Sequence, residues 1–159
     1  MKQSHLAKWL KIITVVAGLL GILFFFYFVP ATGNGYAYMY PEFAYLLWPY
    51  LIWAWVTAVP CYIALVYFFK ICCKISKGNS FCRANAKWLL WISRIILFDT
   101  VLFFTISVVF LFSNMLHPGF FIEAFFVDVG GLGVSIGSAV LSHWVDEGCN
   151  LKEAHDLTL

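Results

Sequence analysis

Four apolar runs, at residues 9–29, 45–69, 89–112 and 120–144, dictate what this chain can fold into. An α-helix rises ~1.5 Å per residue, so about 20 residues cross the ~30 Å hydrocarbon core of a bilayer. Each run reaches that length. The chain has 159 residues, of which 63% are hydrophobic and only 11% charged, against about 25% charged in a soluble domain. Too few polar side chains are available to cover a water-facing surface. Inside lipid each backbone N–H and C=O must be satisfied within its own segment, which a helix does. The sequence therefore predicts an all-α membrane protein. Residues 1–159 form a single integral membrane domain, with four transmembrane helices in an antiparallel bundle and the bilayer as first partner.

Orientation follows from the cations. Lys2, Lys8, Lys11, Lys70, Lys74, Lys77, Arg83, Lys87 and Lys152 all fall on one side of such a bundle. Cationic loops stay in the cytoplasm. This predicts an N-in/C-in membrane protein, with a cytoplasmic loop at 70–88 and a cytoplasmic tail at 145–159. The first run is longer than the roughly 7–15 residues of a signal-peptide core. Gly35, Tyr36 and Ala37 make a poor cleavage site, so the first span is expected to be retained.

Local signals refine the picture. Pro30 is expected to end the first helix, followed by a loop over 31–44 that holds Tyr36, Tyr38, Tyr40 and Phe43, one acid, Glu42, and no cation. Tyrosines at that depth suit the headgroup layer; the sharper reading is a ligand-facing aromatic surface. Pro60 removes a ladder bond in mid-span, which predicts a kink. Gly78, Asn79 and Ser80 read as a turn, with Asn79 or Ser80 as the N-cap of the third helix. Gly130, Gly133 and Gly137 form a small-residue stripe with a GxxxG spacing. It serves packing within the bundle or a homodimer through the fourth span.

Catalytic and metal patterns are absent from the sequence. Cys72, Cys73, Cys82 and Cys149, with His143 and His155, match no zinc spacing. The cytosol keeps such thiols reduced, so no disulfide framework is expected. There is no phosphate-binding loop and no nucleophile–base pair. No basic helix face suggests direct nucleic-acid binding. The expectation is a non-enzymatic protein without a cofactor.

Ionisable residues inside the spans are costly, roughly 2.5–3.5 kcal/mol each at mid-depth on insertion scales. Arg94 lies about 9 Å into the third span and Asp99 about 16 Å in, with Asp128 at nearly the same level on the fourth. Glu123 is within a turn of the outer face. Arg94, Asp99 and Asp128 are read as an intramembrane polar network. In the plainer version Arg94 pairs with one carboxylate and the other is protonated. In the functional version the two aspartates bind a proton or cation, as in a small proton- or ion-coupled transporter.

Two further patterns carry a resemblance. One is Gly78, Phe81 and Asn85 leading into the third span. The other is Leu151, Lys152, Glu153, Asp156, Leu157, Thr158 and Leu159 at the C-terminus. With four spans in this length, the chain resembles the bacterial four-helix membrane proteins grouped as domain of unknown function 2975. This sequence departs from the usual tail, which tends to have a second acid where Ala154 or His155 stands. The resemblance implies no established enzymatic activity. It also implies a gene neighbour encoding a small cytosolic helix-turn-helix regulator, and hence a membrane partner that holds or releases that regulator. Gly78, Phe81, Asn85, Leu151, Glu153, Asp156 and Leu157 are then the partner-binding candidates.

Overall fold

A computed structural model describes residues 3–77 and 82–156, and among them there is no strand. Helix α1 spans Gln3–Leu23 and passes through a π-helical turn, Phe24–Phe28, into α2, Val29–Met39. A 3-10 turn, Pro41–Leu46, leads into α3, Leu47–Ser76; α4 spans Arg83–Phe112 and α5 spans Pro118–Asp156. Four rods, Ala7–Met39, Pro41–Ser76, Arg83–Phe112 and Pro118–His155, are long and apolar enough to cross a membrane.

Side chains are sorted as lipid demands. Phe26, Phe98, Phe112 and Phe126 face outward, while Thr14, Thr57, Ser93, Thr100, Ser107, Ser135 and Ser142 are buried. Hydrocarbon solvates a phenylalanine but cannot satisfy a hydroxyl, so small polar residues collect between the helices.

The rods pack in chain order, α1 on α3, α3 on α4 and α4 on α5. Each pairing is antiparallel. Tyr62 on α3 donates its hydroxyl to the Gly18 carbonyl at 3.0 Å, while Trp55, two turns earlier, reaches Phe25 further along the first rod. Between α3 and α4, Ala64, Ile71, Leu89, Ile92 and Ile96 form a buried apolar cluster. Trp53 stacks on Phe103 with ring centroids 4.4 Å apart. The row is drawn together at one end, where the Tyr36 hydroxyl on α2 donates to Glu123 Oε1 on α5 at 2.9 Å.

Three boundaries differ from the sequence expectation. Pro30 does not end the first helix; it sits at the start of α2, where its lack of an N–H is tolerated. The π-helical turn prepares this. Val29 N–H bonds five residues back, to the Phe24 carbonyl. In that register the Phe25 carbonyl would need the N–H that Pro30 lacks. Trp55 Nε1–H supplies the bond from α3 at 3.0 Å. Trp55→Phe keeps the ring facing Phe26 but strands this carbonyl. It is expected to cost about 1–2 kcal/mol in detergent unfolding followed by circular dichroism; an unchanged transition would show that the carbonyl is satisfied elsewhere.

The second correction concerns α4. Cys82, extended at φ −144 and ψ 145, is its N-cap in place of Asn79 or Ser80 and makes no side-chain cap bond. Its carbonyl instead takes the Asn85 N–H at 2.9 Å. The third concerns the C-terminal region. Helix α5 continues without a break into the residues read as a polar tail, for 39 residues in all. At ~1.5 Å per residue that is about 58 Å, nearly twice a ~30 Å hydrocarbon core. Proline at position 60 leaves α3 a single continuous helix.

Candidate functional site

The seam between α4 and α5 positions the buried polar residues. Ala86, Ser93, Thr100 and Ser107 recur every seven residues on α4 and are all buried. Ser142, Ser135 and Asp128 answer them at the same spacing on α5. A seven-residue repeat keeps one stripe of each helix against its neighbour. Ser142 Oγ donates to the Ala86 carbonyl at 2.7 Å, and Ser135 Oγ to the Ser93 carbonyl at 2.9 Å. Gly131 lies against Thr100 so closely that a Cβ there would overlap its hydroxyl.

This seam was missed in the sequence, where Gly130, Gly133 and Gly137 stood out instead. A Cβ on any of those three would meet open space, so they face away from the bundle and do not pack its helices. The signal that finds the true seam is the heptad spacing of Ser, Thr and Ala on α4, matched on α5.

Two carboxylates lie inside the bundle. Asp99 projects from α4 toward α3, where the Cys61 thiol donates to its Oδ2 at 3.7 Å. Asp128 projects from α5 into the seam, within Coulomb range of Asp99. Both are buried, 9% and 5% exposed. Asp99 Oδ1, Asp128 Oδ2, Ser107 Oγ and Trp53 Nε1 are buried without a hydrogen-bond partner among the described residues. Residues 12–69 and 95–151 contain no Lys or Arg, so no cationic side chain in those stretches can neutralise the pair.

Arg94 does not join them. Five residues from Asp99 on one helix is about 140° around the axis, and Arg94 is exposed on the other side of α4. Among the described residues its guanidinium forms no ion pair. No three His, Cys, Asp or Glu side chains among the described residues converge as metal ligands would.

The polar end of α5 is docked rather than loose. Cys149 is buried, and Arg83 in the first turn of α4 reaches across to Glu153 Oε2 at 2.9 Å and to Asn150 Oδ1 at 3.4 Å. Leu151 is 69% exposed beside them, while Asn85 is buried below. The partner candidates Gly78, Phe81 and Leu157, and the side chain of Asp156, lie outside the described residues.

These features define a multi-pass helical membrane protein with a polar seam, a buried carboxylate pair and one docked polar helix end. The chain belongs to the family described as Protein of unknown function (DUF2975), whose profile matches residues 31–159. It is similar to the uncharacterized membrane protein YoaS of Bacillus subtilis (strain 168), with 26% identity over 153 residues, 95% of this chain and 96% of that one. No solved structure matches it.

Proposed function

We propose that the protein acts by interaction, as a membrane partner of a cytosolic helix-turn-helix regulator in the bacterial inner membrane. Both termini lie in the cytoplasm on this reading, as the distribution of Lys and Arg favours. The observation that carries it is the junction of Arg83 with Asn150 and Glu153. It joins the start of α4 to the end of α5 in one surface beyond the apolar spans. Asp146, Glu147 and Glu153 outnumber Lys152 on the exposed part of that helix, and Leu151 gives it an apolar centre. A DNA-binding domain presents a basic face, which such a helix complements.

The Arg83–Glu153 pair is more than half exposed on both sides, so water screens it and it adds little to the fold. Leu151→Asp combined with Glu153→Arg is therefore expected to leave thermal unfolding nearly unchanged. It should lower capture of the regulator encoded beside the gene at least about tenfold, and deletion of residues 151–159 should abolish capture. Undiminished capture would reject this surface.

The second reading rests on a separate observation, the two buried carboxyls with unpartnered oxygens. Asp99 and Asp128 would bind a proton or a small cation at mid-depth, as a proton- or ion-coupled carrier requires. Arg94 has no part in that site.

A further inference from the structure

A cavity opens at the end of the bundle opposite the basic stretch. Its wall comes from α2, the 3-10 turn, the start of α3, the end of α4 and the start of α5. It offers about 70 Å³ of space, several times the roughly 10–15 Å³ that one water occupies by the same measure. Tyr36, Tyr40, Tyr50, Phe120 and the His117 ring line it, with the Met115 thioether. The rings brace one another. Tyr40 stacks on His117 with centroids 4.3 Å apart, and Phe120 meets Tyr50 edge-on at 4.8 Å and Tyr36 edge-on at 5.4 Å.

The wall itself carries no carboxylate; Glu123 stands behind it, bonded to Tyr36. Glu123 accepts the Tyr36 hydroxyl at 2.9 Å and acts electrostatically on Tyr50 as well. No Lys or Arg occurs in residues 12–69 or 95–151 to balance it. An anion would be repelled and would find no donor in the first turn of α5. Pro118 has no N–H, Gly119 N–H donates to His117 Nδ1 at 3.1 Å, and the Phe120 and Phe121 N–H groups bond the His117 carbonyl. Aromatic rings around a small space, near a carboxylate that no cation balances, attract an organic ammonium group.

We propose that this cavity binds an organic ammonium group, seated against the tyrosine rings with Glu123 as its counter-charge. The group belongs to a free amine or to the headgroup of an ethanolamine phospholipid, since the cavity sits where headgroups would lie. The site is at the far end of the molecule from the acidic surface of α5, so its test is independent of the regulator's.

The probe is choline, with 3,3-dimethylbutan-1-ol as its neutral isostere, titrated calorimetrically into the full chain in phosphatidylglycerol nanodiscs. Choline should bind saturably, and the isostere at least about tenfold more weakly. Glu123→Gln should weaken choline about tenfold and leave the isostere unchanged. Tyr40→Leu, which keeps the charge and removes a ring, is the second variant should Glu123→Gln fail to fold, and it too should weaken choline. Nanodiscs of phosphatidylethanolamine separate the two sources: a headgroup ligand suppresses choline binding there, and a free amine leaves it as before. Equal affinity for choline and isostere, or no saturable binding in phosphatidylglycerol, overturns the proposal.

Discussion

Asp99→Leu and Asp128→Leu are each expected to raise the stability of the protein, by about 2–3 kcal/mol. A core residue normally costs stability when replaced. These two should not, because each carries a buried carboxyl oxygen that no described residue satisfies. Leucine removes that burden and fills similar space. The double variant should gain less than the sum of the singles. The carboxyls lie within Coulomb range of one another, so removing the first already relieves part of the strain on the second. Detergent unfolding followed by circular dichroism reads all three numbers. A residue held against such a cost is retained for something other than the fold. The conservative changes Asp99→Asn and Asp128→Asn should therefore abolish any proton- or cation-driven flux in reconstituted vesicles. Lower stability in the leucine variants would mean that the carboxyls serve packing, and the carrier reading would fall with it.

The four long apolar helices were legible in the sequence, and direction around each helix was not. The four runs announce themselves because crossing hydrocarbon takes about 20 predominantly apolar residues. The same arithmetic put Asp99 and Asp128 near one level, and the structure brings them within Coulomb range. For Arg94 the depth argument said nothing of facing. On α4 the heptad of Ala86, Ser93, Thr100 and Ser107 turns toward α5 and Leu89, Ile92 and Ile96 turn toward α3, and exposed Arg94 lies off both stripes. Pro30 misled for a different reason. A proline stops a helix only where its missing bond stays missing, and here Trp55, from another helix, supplies a donor to the stranded Phe25 carbonyl. No local pattern encodes such a rescue. The C-terminal stretch looked like a tail because it is polar. It continues α5 as helix, with Cys149 buried and Glu153 paired to Arg83 on the first turn of α4, a tertiary arrangement that composition cannot reveal.

Gly131→Val is expected to destabilise the protein by up to about 3 kcal/mol, the largest loss foreseen for any single added side chain here. The reason is the approach of Thr100. Its hydroxyl would overlap a Cβ on Gly131, while its Cβ and Cγ2 stand at ordinary contact distance. The hydroxyl is also held by the Ile96 carbonyl at 2.8 Å. Turning the hydroxyl away gives up that bond, and keeping it forces the helices apart, which stretches the Ser135 and Ser142 bonds on the same seam. Thr100→Ala in the Gly131→Val background should recover part of the loss, and no recovery would place the crowding elsewhere. The outward glycines behave oppositely. Gly133→Ala and Gly137→Ala put a methyl into open space and should leave monomer unfolding within about 0.5 kcal/mol of the parent. If a homodimer forms through that face, Gly133→Ile will weaken it in lipid, because a branched side chain keeps a second helix from the close approach that glycine allows. Cross-linking yield in vesicles measures that directly. Equal yields from parent and Gly133→Ile would assign the stripe to lipid contact alone.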